Sequence, residues 1–281
     1  MTHKLKIVDL DGTLWQLDAR PWVVWKDEPG SPILRLDAYD WLTVERTPLD
    51  GEGFVVEHCG RTFAFSEELL RKIQSKGGRK PVSEKMGVSF AEWFMPEELA
   101  RQVEDIKFYE HVIKDLSKRE GDMVVLTSRC NKNKHFGLIT TLENRLKLDN
   151  LYVKEYHFVG NSNAYCDKET NASKKALTVL QYLMGLQIDR VKNRFLEEET
   201  ESYLIVDFFD DEPLNLVNVE NLQSYLNFYF FNSKSNVKDK ILNRLMSTKL
   251  VLYVNRATSN KMKPYDTVKI ELQIPEKKFL F

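Results

Sequence analysis

A chain of 281 residues has room for one large domain, or for one domain carrying a substantial insertion. With 42% hydrophobic and 30% charged residues it is not a disordered polyelectrolyte, and no apolar run reaches the length of a membrane-spanning helix. The formal net charge of -1 supplies no global field toward nucleic acid or anionic lipid, so any basic binding surface has to be local.

Met1-Thr2-His3-Lys4 enters a strand at once and leaves no room for a signal peptide. Cys59, Cys130 and Cys166 are widely spaced and form no CxxC pair. A disulfide framework or structural zinc site is therefore not expected, and a reducing cytoplasm is the natural compartment. The first informative stretch is Lys6-Ile7-Val8-Asp9-Leu10-Asp11-Gly12-Thr13-Leu14. Ile7-Val8 reads as a buried parallel strand, and such strands end at the carboxyl edge where ligand sites of α/β folds lie. Asp9 emerges at that rim. Asp11 points the same way while the chain stays extended, and Gly12 allows a sharp turn and a close approach to a ligand.

From Trp15 to Asp50 the sequence is irregular and rich in Trp, Asp and Pro, with Trp15, Trp22, Trp25 and Trp41. Trp22–Trp25 and Phe54–Glu57 read as short strands, the second paired with Arg61–Phe65 across a turn at Cys59-Gly60. Ser66-Glu67-Glu68 opens a helix that stops at Gly77-Gly78, and a second helix is expected over Phe90–Glu104.

Regular α/β rhythm starts near Phe108, where Phe108, Val112, Ile113 and Leu116 share a helical face. Met123–Leu126 is a buried strand. Asn131–Leu148 is an amphipathic helix with Phe136, Ile139, Leu142 and Leu146 inward. Strands follow at Tyr156–Val159, Tyr203–Phe209 and Leu226–Phe231, with a crossover helix at Ala172–Met184 between the first two. This alternation predicts a mainly parallel sheet covered on both faces. The tail adds a helix (Val237–Met246) and two strands (Leu250–Val254, Thr267–Ile274). His157, His111 and His58 read as packing or surface residues, whereas Lys132 and His135 follow Arg129 closely enough to touch a ligand there.

Asp9-Leu10-Asp11-Gly12-Thr13-Leu14 resembles the first motif of the haloacid dehalogenase-like superfamily, whose members are mostly phosphatases. The resemblance implies a Rossmann-like, mainly parallel sheet flanked by helices. It divides the chain into a core of residues 1–14 and 107–232, a cap insertion after the first strand at 15–106, and a C-terminal extension at 233–281. It also implies Asp9 as the nucleophile that forms an aspartyl-phosphate, and Asp11 as general acid and then general base. Val124-Val125-Leu126-Thr127-Ser128-Arg129 resembles the second motif, which makes Thr127 the holder of a phosphoryl oxygen; Gly12, Ser128 and Arg129 are the expected substrate-binding residues. Asp207-Phe208-Phe209-Asp210-Asp211-Glu212-Pro213 resembles the fourth motif, which supplies ligands to Mg²⁺. The implied ligands are Asp9, the Asp11 main-chain carbonyl and Asp210, with Asp211 as a second ligand or the holder of a bound water. For the third motif, a lysine, Asn171–Leu177 offers Lys174 and Lys175. Lys174 is taken as the catalytic cation and Lys175 as substrate-binding, although spacing does not separate them. Read from the residues alone, Asp210 and Asp211 would also serve as acidic caps for the helix after Pro213, and Thr127 as an ordinary helix cap.

The implied activity is a Mg²⁺-dependent phosphomonoesterase. Leu126–Arg129 and the Lys174 helix loosely resemble phosphatase modules of RNA-repair and polynucleotide-end-healing proteins, phage relatives included. The expected substrate is therefore a nucleotide or nucleic-acid end; the tryptophans after Leu14 read first as the small core of the cap and, in the sharper alternative, as exposed rings that stack on a base. A sugar-phosphate phosphatase and a catalytically silent binding protein on the same fold are the alternatives.

Overall fold

The computed structural model describes residues 4–16, 19–37, 40–41, 44, 54–58, 61–93, 96–129, 136–160, 171–189, 194–199, 203–232, 249–257 and 265–273. The first strand is β1 (Lys4–Val8), followed by β2 (Trp15–Gln16), β3 (Trp22–Trp25), β4 (Glu28–Arg35), β5 (Phe54–His58) and β6 (Arg61–Phe65). Next come α1 (Glu67–Gly77), β7 (Met86–Ser89), α2 (Pro96–Asp105), β8 (Lys107–Phe108), α3 (Glu110–Lys118), β9 (Asp122–Thr127), α4 (Phe136–Lys147) and β10 (Val153–Phe158). The last part holds α5 (Asn171–Met184), β11 (Leu186–Asp189), β12 (Arg194–Glu199), β13 (Ile205–Asp210), α6 (Pro213–Glu220), α7 (Leu222–Asn232), β14 (Leu250–Ala257) and β15 (Tyr265–Leu272).

The chain is a mixed α/β protein built on a six-stranded sheet in the order β10-β9-β1-β13-β14-β15. The first five strands run parallel, and β15 closes one edge antiparallel. Strands covered on both faces must be apolar on both, and these are. Leu5, Ile7, Val124, Leu126, Val206 and Phe208 meet Val179 and Leu183 of α5, Leu216 of α6 and Leu226 of α7. Val8, Met123, Val125 and Phe209 meet Val112 and Leu116 of α3 and Ile139 and Leu142 of α4 on the opposite face. Lys6 interrupts this run, yet it is buried, and its Nζ donates to the Arg119 carbonyl (2.8 Å) at the end of α3. Burial pushes its ammonium below the usual lysine range, and the negative end of the helix offsets part of that cost.

Three expectations change. Leu226–Phe231 is helical, as part of α7, and is not a strand. Leu222 and Leu226, one helical turn apart, are both buried against the sheet, and the place beside β13 is taken by β14. The tail strands therefore form but join the central sheet. Phe136, expected inward, is 71% exposed at the first position of α4, where Leu138 is buried instead. The helix expected over Phe90–Glu104 begins only at Pro96, a residue suited to the first helical turn. The Val237–Met246 helix, the three cysteines, Lys132 and His135 fall outside the described residues.

Between β2 and β8 the chain forms the three-stranded sheet β4-β3-β7, the β5–β6 hairpin and α1. Ser66 caps α1 by accepting from Leu69 N–H (3.2 Å), and Gly78 ends it with φ 63°. These elements enclose a hydrophobic cluster of their own, including Trp25, Leu36, Phe65, Ile73 and Val88. Trp15, Trp22 and Trp25 are buried, and Trp41 packs between Phe63 and Phe90. Three of these rings are buried and Trp41 packs partly buried against the cluster, which agrees with the reading of the tryptophans as core and not with exposed rings stacking on a base. Trp15 pairs with Phe108 across the short β2–β8 ribbon, which brings the two ends of the segment together.

Candidate functional site

Strand register sets the site. Val8 is level with Phe209 on one side and Val125 on the other. The following residues Asp9 and Asp210 therefore leave the sheet together, with Thr127 close by at the same edge. Asp9 N–H still bonds to the Phe209 carbonyl (2.9 Å). The chain then folds back tightly: Leu10 O accepts from Leu14 N–H (2.9 Å), and Gly12 N–H donates to Trp15 O (2.9 Å). Gly12 has φ +79°, and a Cβ there would lie 2.0 Å from Asp211 Oδ2. Both the backbone and the acid beside it demand glycine.

One carboxylate oxygen each from Asp9, Asp210 and Asp211 lie within 4.8 Å of one another. Lys175 Nζ bridges the first two, 2.8 Å from Asp9 Oδ1 and 2.7 Å from Asp210 Oδ2. Asp210 is also fixed by Asn215 Nδ2 (2.9 Å to Oδ1) and by the Glu212 N–H (2.9 Å). Asp9 is less fully served. Its Oδ1 sits off the hydrogen-bonding direction of the lysine, a buried oxygen in ionic contact but without a hydrogen bond.

Burial drives the Asp9 carboxyl well above the usual range, opposed by Lys175 and reinforced by Asp210 and Asp211. Burial and then the neighbouring Asp210 push Asp211 up to about 7. Lys175 moves the other way from most buried lysines: burial alone would lower it, but the Asp210 and Asp9 carboxylates raise it. Three converging hard oxygen donors, one lacking a hydrogen bond, form a cluster that could hold a metal cation.

The expected residues divide as follows. Asp9, Asp210 and Asp211 come together, and Lys175, not Lys174, brings its ammonium to them. Lys174 is buried one position earlier on α5, about 100° around the helix. The Asp11 side chain stands outside the carboxylate group. Arg129 grips it with two parallel hydrogen bonds, Nε to Oδ2 (2.8 Å) and Nη2 to Oδ1 (2.9 Å), and Trp15 Nε1 donates to Oδ1 (2.9 Å). Thr127 is buried, and its Oγ1 accepts from Arg129 N–H (3.1 Å), which shapes the turn through Ser128. Gly160 packs against that turn so closely that a Cβ would fall 2.0 Å from Ser128 O. Asp207 lies apart from the cluster, near Arg119 (3.9 Å), and His157 bonds Tyr182 in the core.

Sequence reading missed Trp15, Gly160, Gln102 and Asn215. Only Asn215 left a usable signal, an amide five residues after Asp210 in the first turn of α6.

The raised carboxyls couple folding to pH. Unfolded Asp211 ionises near the ordinary value of 3.8, whereas the folded, metal-free protein keeps it protonated up to about 7. Folding then takes up protons, so this stabilisation is complete below about pH 4 and is lost as pH rises toward 7. A divalent cation competes with the same protons. Melting curves are expected to show the EDTA-treated protein losing stability across this interval while the increment from added Mg²⁺ grows. A flat Mg²⁺ increment would contradict binding at these acids. Comparison of the chain with protein-family models and with curated proteins returned no match.

Proposed function

We propose that the protein is a Mg²⁺-dependent phosphomonoesterase of the haloacid dehalogenase-like type, with a Rossmann-like core, acting in a reducing cytoplasm. The observation that carries this reading is the meeting of Asp9, Asp210 and Asp211 around Lys175, brought from two strand ends, a loop and a helix. A catalytically silent metal-binding protein could bury the same acids, and turnover separates the two.

Asp9, Asp210 and Asp211 would hold the cation together with the Asp11 carbonyl. When bound, Mg²⁺ supplies neutralisation of charge on the phosphoryl oxygens. Lys175 lowers the repulsion between the Asp9 carboxylate and an incoming dianion. Asp9 attacks phosphorus, the ester oxygen leaves, and a covalent aspartyl-phosphate forms for water to hydrolyse. Asp11 gives a proton to the leaving oxygen and later takes one from the attacking water. Thr127, Ser128 and the Gly12 backbone would line the phosphoryl oxygens, and Lys175 rather than Lys174 takes the part of the catalytic cation.

The Arg129 guanidinium is a natural phosphate fork, and an arriving dianion competes with Asp11 for it. That exchange frees Asp11 for proton transfer. The favoured substrate remains a nucleotide or nucleic-acid end, on the resemblance of residues 124–129 to end-healing phosphatases rather than on the tryptophans.

The test is hydrolysis of p-nitrophenyl phosphate, mononucleotides, sugar phosphates and 3′-phosphorylated oligonucleotides. Turnover is expected with Mg²⁺ and is lost in EDTA. Preference for sugar phosphates would move the substrate class to small metabolites. Absence of turnover on every compound would remove the phosphatase reading.

A further inference from the structure

The Arg129 side chain is only 1% exposed, against 33% for its partner Asp11. A buried guanidinium is placed by the acceptors around it, and one of these belongs to the inserted segment. Arg129 Nη2, already on Asp11, also approaches Gln102 Oε1 of α2 (3.4 Å). The other end of that amide is tied as well: Gln102 Nε2 donates to the Glu92 carbonyl (2.6 Å). Gln102 is itself 1% exposed.

Glu92 is the hub of the segment. Its buried carboxylate accepts from Trp22 Nε1 (2.5 Å), from Arg35 Nε (2.5 Å) and Nη2 (2.9 Å), and from Arg20 N–H (2.7 Å). Burial alone would raise this carboxyl, but the Arg35, Trp22 and Arg20 donors hold it below the usual range. Glu92 therefore locks β3, β4 and the approach to α2 into one arrangement. A continuous polar chain runs from it through Gln102 and Arg129 to Asp11.

We propose that Gln102 is a positioning residue of the phosphatase. It steers the Arg129 fork, and through it the inserted segment sets where both the fork and Asp11 stand relative to the phosphoryl group. This rests on the function proposed above. The bond to Glu92 satisfies one end of the buried amide and Arg129 the other. The contact to Arg129, made by the face of the amide directed at the catalytic edge, gives it a second task. Losing that contact misplaces Arg129 without removing it, and small displacements of a phosphate clamp cost rate more than binding.

The experiment is a double-mutant cycle with Gln102→Leu and Arg129→Ala, read by the separate kcat and KM of p-nitrophenyl phosphate hydrolysis and by calorimetric binding of inorganic phosphate with Mg²⁺. Gln102→Leu is expected to lower kcat about tenfold and to change KM less. The same change made in Arg129→Ala is expected to add almost nothing, because its effect passes through the missing side chain. Gln102→Asn, which keeps the amide but shortens its reach, is expected to lie between. Losses that add in the double variant overturn the proposal, as does a loss carried by KM with kcat unchanged. If Gln102→Leu fails to fold, the Asn variant carries the cycle with the same criteria. A native protein that hydrolyses its substrate while the cycle is additive disproves the positioning role alone. One that neither hydrolyses nor binds phosphate disproves the phosphatase reading, and this proposal with it.

Discussion

Turnover of p-nitrophenyl phosphate is expected to fall by about 10⁴-fold or more in Asp9→Asn, the usual scale for deleting a nucleophile. The same variant is expected to melt no lower than the native protein in EDTA. Burial already drives the Asp9 carboxyl toward its neutral form beside Asp210 and Asp211, and an amide is neutral at every pH. Lys175 keeps Asp210 as its partner (2.7 Å). The combination separates chemistry from folding, because a merely structural aspartate would lower the melting temperature and a spectator would leave the rate alone. Native turnover in this variant would falsify the nucleophile assignment.

Lys175→Met is expected to harm both stability and rate. Lys175 lies 2.7 Å from the buried Asp210 carboxylate, and removing it leaves that charge uncompensated, at a cost of about 3–5 kcal/mol. Deleting a cation that offsets charge in the transition state costs about 10²–10³-fold in kcat on the scale of lost electrostatic donors. The sign of the pH effect follows from Asp9. Without the ammonium, a carboxyl already raised by burial holds its proton to still higher pH, so the instability is smallest in acid and grows toward neutrality. Added Mg²⁺ recovers part of the stability by occupying the same oxygens. Lys174→Met is the comparison: it should show neither the neutral-pH instability nor the rescue. Equal behaviour of the two variants would return the choice between these lysines to the open state in which the sequence leaves it.

The acids were readable because each follows a short apolar run. A parallel strand that stops in a carboxylate declares both its position and its edge, and residues 9 and 210 do this independently. Lys174 and Lys175 were not separable, because one step along a helix turns a side chain by about 100° and α5 is buried around much of its circumference. Helical periodicity there points to no single face. The aromatic run Leu226–Phe231 favours a strand by local propensity, yet tertiary packing of Leu222 and Leu226 decides for a helix. The fifth parallel position went to a strand about forty residues after β13, as Ile205↔Val251 pairing shows. No local pattern predicts such a partner. Gln102 was invisible for a different reason: a lone neutral amide on an amphipathic helix looks like surface until the guanidinium beside it is seen. The tryptophans left two readings open because large rings in an irregular segment can serve a small core as well as a ligand; Trp15, Trp22 and Trp25 are buried, as the core reading expects.

The place of β1 in the sheet has a consequence for how the protein is made. β1, the earliest of the described strands in the chain, ends up central, between β9 and β13. Its pairing of Lys4 with Ile205 spans 205 − 4 = 201 residues. At about 5–20 residues per second, a growing chain waits roughly 10–40 s before that partner exists. During this delay an apolar strand tipped with acids has an open edge, exposed to wrong pairing. Closure of the central sheet therefore waits on this long-range pairing, which makes folding slow.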